Sequence, residues 1–103
     1  MFAREWKARC PLSKENEFIE YLNITGVKDT SSTPGFLGAQ VLSRKLEYQA
    51  EVTLITYWDC LDSIKAFSGD DIGQARLYPE DDRFELDPDT FVIHYEVISN
   101  LWL

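Results

Sequence analysis

The sequence predicts an α+β fold: a ferredoxin-like β-α-β-β-α-β chain whose four-stranded antiparallel sheet is backed by helices. Three observations predict it. The run Val52-Thr53-Leu54-Ile55-Thr56-Tyr57-Trp58 is β-branched and aromatic, as a strand should be. Two segments, Lys14–Thr25 and the stretch after Asp59, carry apolar residues at helical spacing. Strand-like runs flank both in the split-βαβ order. At 103 residues the chain has the length of one domain, residues 1–103.

The elements follow in order. Phe2–Cys10 reads as a strand, with Phe2, Arg4, Trp6, Ala8 and Cys10 on one face and Glu5, Lys7 and Arg9 on the other. Pro11 ends it because proline has no N–H to donate. Ser13 is a helix N-cap candidate, with Glu15 and Glu17 in the first turn. Phe18, Ile19, Tyr21, Leu22 and Thr25 keep the helical period, and Gly26 is the expected stop. Val27–Gly35 reads as a loop around a polar centre.

Phe36–Leu46 reads as the second strand, Glu47–Glu51 as a short turn, and Val52–Trp58 as the third strand, together an antiparallel hairpin. Asp59 is placed to cap a second helix, with the stripe Leu61, Ile64, Ala66 and Phe67, closed by Gly69. Asp70 is placed to cap a further short turn through Ile72 and Ala75, broken at Tyr78-Pro79. Glu80–Asp89 reads as an acidic loop around Phe84 and Leu86. Phe91–Ser99 reads as the last strand, with Phe91, Ile93, Tyr95 and Val97 on one face and Val92, His94, Glu96 and Ile98 on the other.

Both faces of that last strand carry apolar residues, yet helices cover only one face of the sheet. A second copy of the sheet is the simplest cover for the other, so a homodimer is expected. Three Trp, five Tyr and six Phe are a heavy aromatic load, suited to filling a pocket or covering a partner subunit.

The formal charge is -8. Residues 1–50 carry seven Lys/Arg against six Asp/Glu, whereas residues 51–103 carry three against twelve. Such a surface repels phosphate backbones and anionic headgroups, so no nucleic acid and no membrane partner is expected. The acidity keeps the chain soluble. No apolar run reaches the ~20 residues that span a bilayer. The start Met1-Phe2-Ala3-Arg4-Glu5-Trp6 lacks a signal-peptide pattern. Cys10 and Cys60 make no disulfide framework, and a cytoplasmic location is the expectation.

Several stretches carry a resemblance. They are Leu54–Asp59, Ile64–Asp71 (with AFxGxD), Ala75–Asp81 (with YPED), Phe84, and His94-Tyr95-Glu96-Val97. Ala3–Trp6, the Phe18–Gly26 helix and Thr33-Pro34-Gly35 agree with them. Together they resemble the antibiotic-biosynthesis-monooxygenase-like family of dimeric α+β barrel proteins, over nearly the whole chain. The resemblance implies two sheets packed into a barrel across a dimer. It also implies a range of activities, from cofactor-independent oxygenases of polycyclic aromatic substrates to haem degradation. The haem-degrading branch uses an Asn on the first strand and a Trp and a His on or after the second helix. Here the first strand has no Asn, Phe67 stands near the Trp position, and Leu77 or Tyr78 near the His position. That chemistry is not expected, and no cofactor is.

Candidate chemistry rests on few residues. His94 is the only histidine and the one side chain that titrates near neutrality unperturbed. It could serve as general base to a phenol or activated carbon, or simply hold a structural hydrogen bond. Arg4 shares its face with Trp6 and could pair with an anionic ligand group, or with a carboxylate of the acidic half. Trp6 and Trp58 could stack on a planar ligand, or be core. Tyr78 could donate to a ligand, or anchor the acidic loop. Glu80, Asp81 and Asp82 lack Ca²⁺-loop spacing, one histidine with scattered carboxylates gives no metal motif, and Gly35 and Gly38 make no phosphate cradle. Cys60 opens a helix without an activating histidine nearby. The expectation is a small-molecule-binding protein with His94 as the candidate catalytic base and Arg4, Trp6, Trp58 and Tyr78 as the candidate pocket. A cofactor-independent monooxygenase acting on a planar or aromatic substrate is one reading; a non-catalytic dimeric binding or accessory module is the other.

Overall fold

The computed structural model describes residues 1–75, 77 and 79–102. The chain runs β1 (Phe2–Pro11), α1 (Glu15–Leu22), α2 (Lys28–Ser31), β2 (Phe36–Lys45), β3 (Gln49–Trp58), α3 (Leu61–Ser68), β4 (Asp87–Pro88) and β5 (Ile93–Glu96). All strands are antiparallel, in the order β2-β3-β1, with β4 and β5 sharing the far side of β1. This is the ferredoxin-like arrangement, with helices on one face.

The β-branched run sits where its composition suits it best. β3 is paired on both sides, from Phe2↔Trp58 to Pro11↔Gln49 with β1 and from Phe36↔Trp58 to Lys45↔Ala50 with β2. Its alternate residues Ala50, Val52, Thr56 and Trp58 are buried under the helices. Ala8, opposite Val52, and Ala50, opposite Cys10, are small and fully buried and leave room for α1 to settle on the sheet. Phe18, Tyr21 and Leu22 come down from α1 onto Ala8, Cys10 and Val52. Phe84 closes this core, its ring centroid 5.5 Å from Phe18 and 4.9 Å from Tyr21.

Several local expectations change. Gly26 does not stop the first helix. The chain passes through a π-helical segment, Asn23–Val27, into α2. Thr25 Oγ1 donates to the Tyr21 carbonyl, and Thr30 Oγ1 to those of Gly26 and Val27, so carbonyls loosened by the wider turn stay bonded. Residues 27–31, read as loop, are helical, and only the turn before β2 is irregular. Ser13 does not cap α1, because a 3₁₀ turn over Leu12–Lys14 precedes the helix.

The turn through Ile72 is not a helix. Gln74 bridges to Phe91, Ala75 N–H donates to the Thr90 carbonyl, and Val92 N–H to that of Gly73. The acidic loop contains a 3₁₀ helix, Pro79–Phe84, and the short strand β4. β4 is held to β1 by Arg9, whose guanidinium bonds Asp89 at 2.6 Å and Asp87 at 3.1 Å. β5 is four residues long rather than nine, because its pairing with β1 covers only Phe2–Glu5. No helix among the described residues is long and apolar enough to cross a membrane.

Candidate functional site

The pleat of β1 sends Arg4 and Trp6 toward the helices. The register then sets Arg4 in a row between Thr56 of β3 and His94 of β5, and Trp6 beside Leu54. Where the helical layer crosses these rows it does not close on them. A pocket open on one side remains, enclosing about 50 Å³. Arg4, Trp6, Leu54 and Thr56 form its floor. Leu22, Thr25, Gly26 and Thr30 form the roof, and Phe67 and Val92 stand at the sides.

The roof owes its shape to the π segment. A Cβ at Gly26 would meet Leu22 Cδ1 at 2.8 Å and Leu54 Cδ2 at 3.5 Å, so any larger residue would intrude on the roof. Trp6 is held by its indole N–H, which donates to the Asp89 carbonyl at 2.8 Å. It meets Phe18 edge-on at 6.4 Å.

Arg4 dominates the electrostatics. It is only 5% exposed. Nη1 donates to the Ile72 carbonyl at 2.6 Å and to His94 Nε2 at 3.2 Å, and Nη2 donates to the Gln74 carbonyl at 3.1 Å. The guanidinium carbon stands 5.9 Å from the Phe67 ring centroid, within cation–π range. Among the described residues no carboxylate forms an ion pair with it. Burial pulls the guanidinium down to about 10, still charged at neutral pH.

His94 is pushed below its ordinary value by burial first and by the Arg4 charge second. It is therefore neutral at neutral pH. It touches Arg4 but does not line the pocket. Trp58 does not line it either. It is fully buried behind Phe67, with ring centroids 5.8 Å apart, and its indole N–H donates to Thr56 Oγ1 at 2.8 Å. Tyr78 lies outside the described residues.

The fold thus brings together Arg4, Trp6 and His94, with Trp58 one layer behind. Sequence reasoning did not find the roof. Leu22 and Thr25 read as ordinary helix stripe and Gly26 as a terminator. The signal available was the run of small residues Thr25, Gly26 and Thr30 at helical spacing. Among the described residues no group of His, Cys, Asp and Glu could hold a metal ion. Cys10 is buried and Cys60 exposed, both as free thiols.

No protein-family model matches the chain, and no curated protein sequence matches it. Solved structures do. A Bacillus cereus protein provisionally assigned as an antibiotic biosynthesis monooxygenase superposes with a TM-score of 0.64 at 17% identity, over 99% of this chain and 97% of its own. A variant of MhuD with two manganese protoporphyrin IX bound per active site superposes with a TM-score of 0.59 at 16% identity, over 97% of this chain and 98% of its own. At such identities the likeness is one of fold. The chain therefore has, over nearly its whole length, the ferredoxin-like α+β fold of these antibiotic-biosynthesis-monooxygenase-like structures.

Proposed function

We propose that this protein binds a small molecule in the pocket between its sheet and its helices, and that it does so as a homodimer. The observation that carries this reading is an apolar pocket, open to solvent, that reaches a buried guanidinium. Mostly apolar walls with a few polar groups, here Arg4 with Thr25, Thr30 and Thr56, are the usual make-up of a ligand site. The two structural neighbours, one bearing a porphyrin and the other assigned as a monooxygenase, support it by analogy of fold. The pocket as it stands is too small for a porphyrin. It is about a third of the ~150 Å³ that accommodates benzene, so a planar ligand must protrude through the open side or displace Leu22 or Phe67.

The dimer is supported by the sheet's uncovered face. Leu42, Ile93 and Tyr95 are exposed there, and Trp102 meets Tyr57 edge-on. A second sheet would remove this apolar surface from water.

Cofactor-independent oxygenation of a planar or aromatic substrate is the catalytic form of the proposal. It is favoured by the aromatic walls Trp6 and Phe67 and by a neutral histidine one hydrogen bond from the pocket's cation. For His94 to act as base, Nε2 must first be released by Arg4, because that lone pair is engaged. A non-catalytic binding module needs no such release.

Native mass spectrometry of freshly purified protein is the test. A dimer carrying a co-purified small molecule is the expected result. A monomer that neither retains a ligand nor takes up an added aromatic would overturn both parts. Dioxygen uptake with the ligand so identified, abolished by His94→Ala in a folded dimer, separates enzyme from binding module.

A further inference from the structure

Arg4 is a cation taken out of water that meets no anion among the described residues. The chain carries 18 Asp and Glu, yet among the described residues none pairs with this guanidinium, while Arg9 has three acidic partners and Arg44 one. Burying an uncompensated charge is costly, and truncation to an apolar residue would remove that cost. Its neighbours are two backbone carbonyls and a neutral imidazole, all of which accept hydrogen bonds but none of which carries a charge. These three bonds use three of the five N–H groups of a guanidinium. Among the described residues nothing takes the N–H on Nε or the second on Nη2, and Arg4 lines the pocket floor.

We propose that the ligand is a compact monocarboxylate whose carboxylate group pairs with Arg4 and whose apolar body lies between Trp6, Leu54 and Phe67. The inference rests on the small-molecule reading above and adds the class of ligand. A guanidinium binds a planar carboxylate better than any other side chain does, through paired N–H donors. The enclosed space suits a short acyl body, or a single ring that protrudes through the open side, rather than a fused polycycle. Selection is local. With a net charge of -8 the chain has no long-range field to gather anions, so affinity must come from the short contact at Arg4.

Benzoate and its neutral isostere benzamide test this on the intact wild-type protein by isothermal titration calorimetry. Hydrogen bonds to a charged group contribute enough for benzoate to bind at least about tenfold tighter than benzamide. In Arg4→Met the preference should vanish while benzamide binding persists. The Arg4 side-chain N–H resonances of the wild type should shift with benzoate and not with benzamide, a readout that survives if the variant fails to fold. Equal binding of the two by the wild type, or a benzoate preference that persists in Arg4→Met, overturns the carboxylate assignment and leaves the pocket reading intact. Binding of neither overturns the pocket reading, and the inference falls with it.

Discussion

Arg4 Nη1 and His94 Nε2 lie 3.2 Å apart, and the hydrogen bond between them can run only one way. Arginine has no acceptor, so Nε2 carries the lone pair and the imidazole proton sits on Nδ1. The register of β1 with β5, which sets Arg4 opposite His94, therefore fixes a tautomer as well as a contact. Protonating His94 would set two cations against each other and break the bond.

That relation predicts the pH dependence of stability. The folded-state pKa of His94 lies below its ordinary 6.5, so the unfolded chain takes up the proton first as pH falls. The contribution of neutral His94 is complete above about pH 6.5 and declines below it, until the folded imidazole also titrates. The slope cannot exceed about 1.4 kcal/mol per pH unit. Gln at 94 can still accept from Arg4 but does not titrate. The difference in urea midpoint between wild type and His94→Gln should be constant above that pH and shift against the wild type below it. A constant difference throughout would refute the linkage.

Trp58 and Thr56 form a buried polar pair inside an apolar layer. Thr56→Val leaves the indole N–H without a partner and should cost about 1–3 kcal/mol in chemical denaturation. The same substitution in a Trp58→Phe background should cost distinctly less, because no donor remains to be orphaned. Equal costs in the two backgrounds would mean that the bond contributes nothing.

Gly35 has φ of +92°, and a Cβ there would run into the side chains of Ser63 and Asp59. Its carbonyl accepts from the Asp59 N–H at 3.0 Å, tying the turn before β2 to the start of α3. Gly35→Ala should lower stability by more than about 1 kcal/mol. Gly38→Ala, where a Cβ meets nothing within 4 Å, should stay within about 0.5 kcal/mol of wild type. Thermal unfolding of the two variants side by side decides it.

Ile93 is 54% exposed on the uncovered face of the sheet. In a lone protomer Ile93→Lys should change stability by no more than about 0.5 kcal/mol. If a second copy covers that face, the lysine is buried unpaired at the interface and the dimer should dissociate. Sedimentation velocity of wild type and variant would test this, and an unchanged dimer would move the interface elsewhere.

Legibility in the sequence followed the range of the interaction. The faces of β1 were readable because alternation is set by the backbone itself: Arg4, Trp6, Ala8 and Cys10 do share the helix-facing side. β3 was readable because seven consecutive β-branched, aromatic and leucine residues leave little alternative. The end of the first helix was not. Gly26 is a strong local stop signal, but the carbonyl bonds made by Thr25 and Thr30 carry the chain through it as a π segment. β5 was overestimated because an apolar alternating run pairs only as far as a partner strand extends.

The sequence by itself determined the element order, the two faces of each long strand and the excess of acid. Each follows from residue periodicity or composition, which need no knowledge of distant neighbours. Only the tertiary structure decided which of Arg4, Trp6, Trp58 and His94 meet. Arg4 finds His94 90 residues away and the Ile72 carbonyl 68 away, whereas Trp58 turns behind Phe67. Such contacts depend on strand register and on where a helix lies over a sheet. The same packing left Arg4 buried beside a pocket and, among the described residues, without a carboxylate partner, a fact of placement that no local pattern encodes.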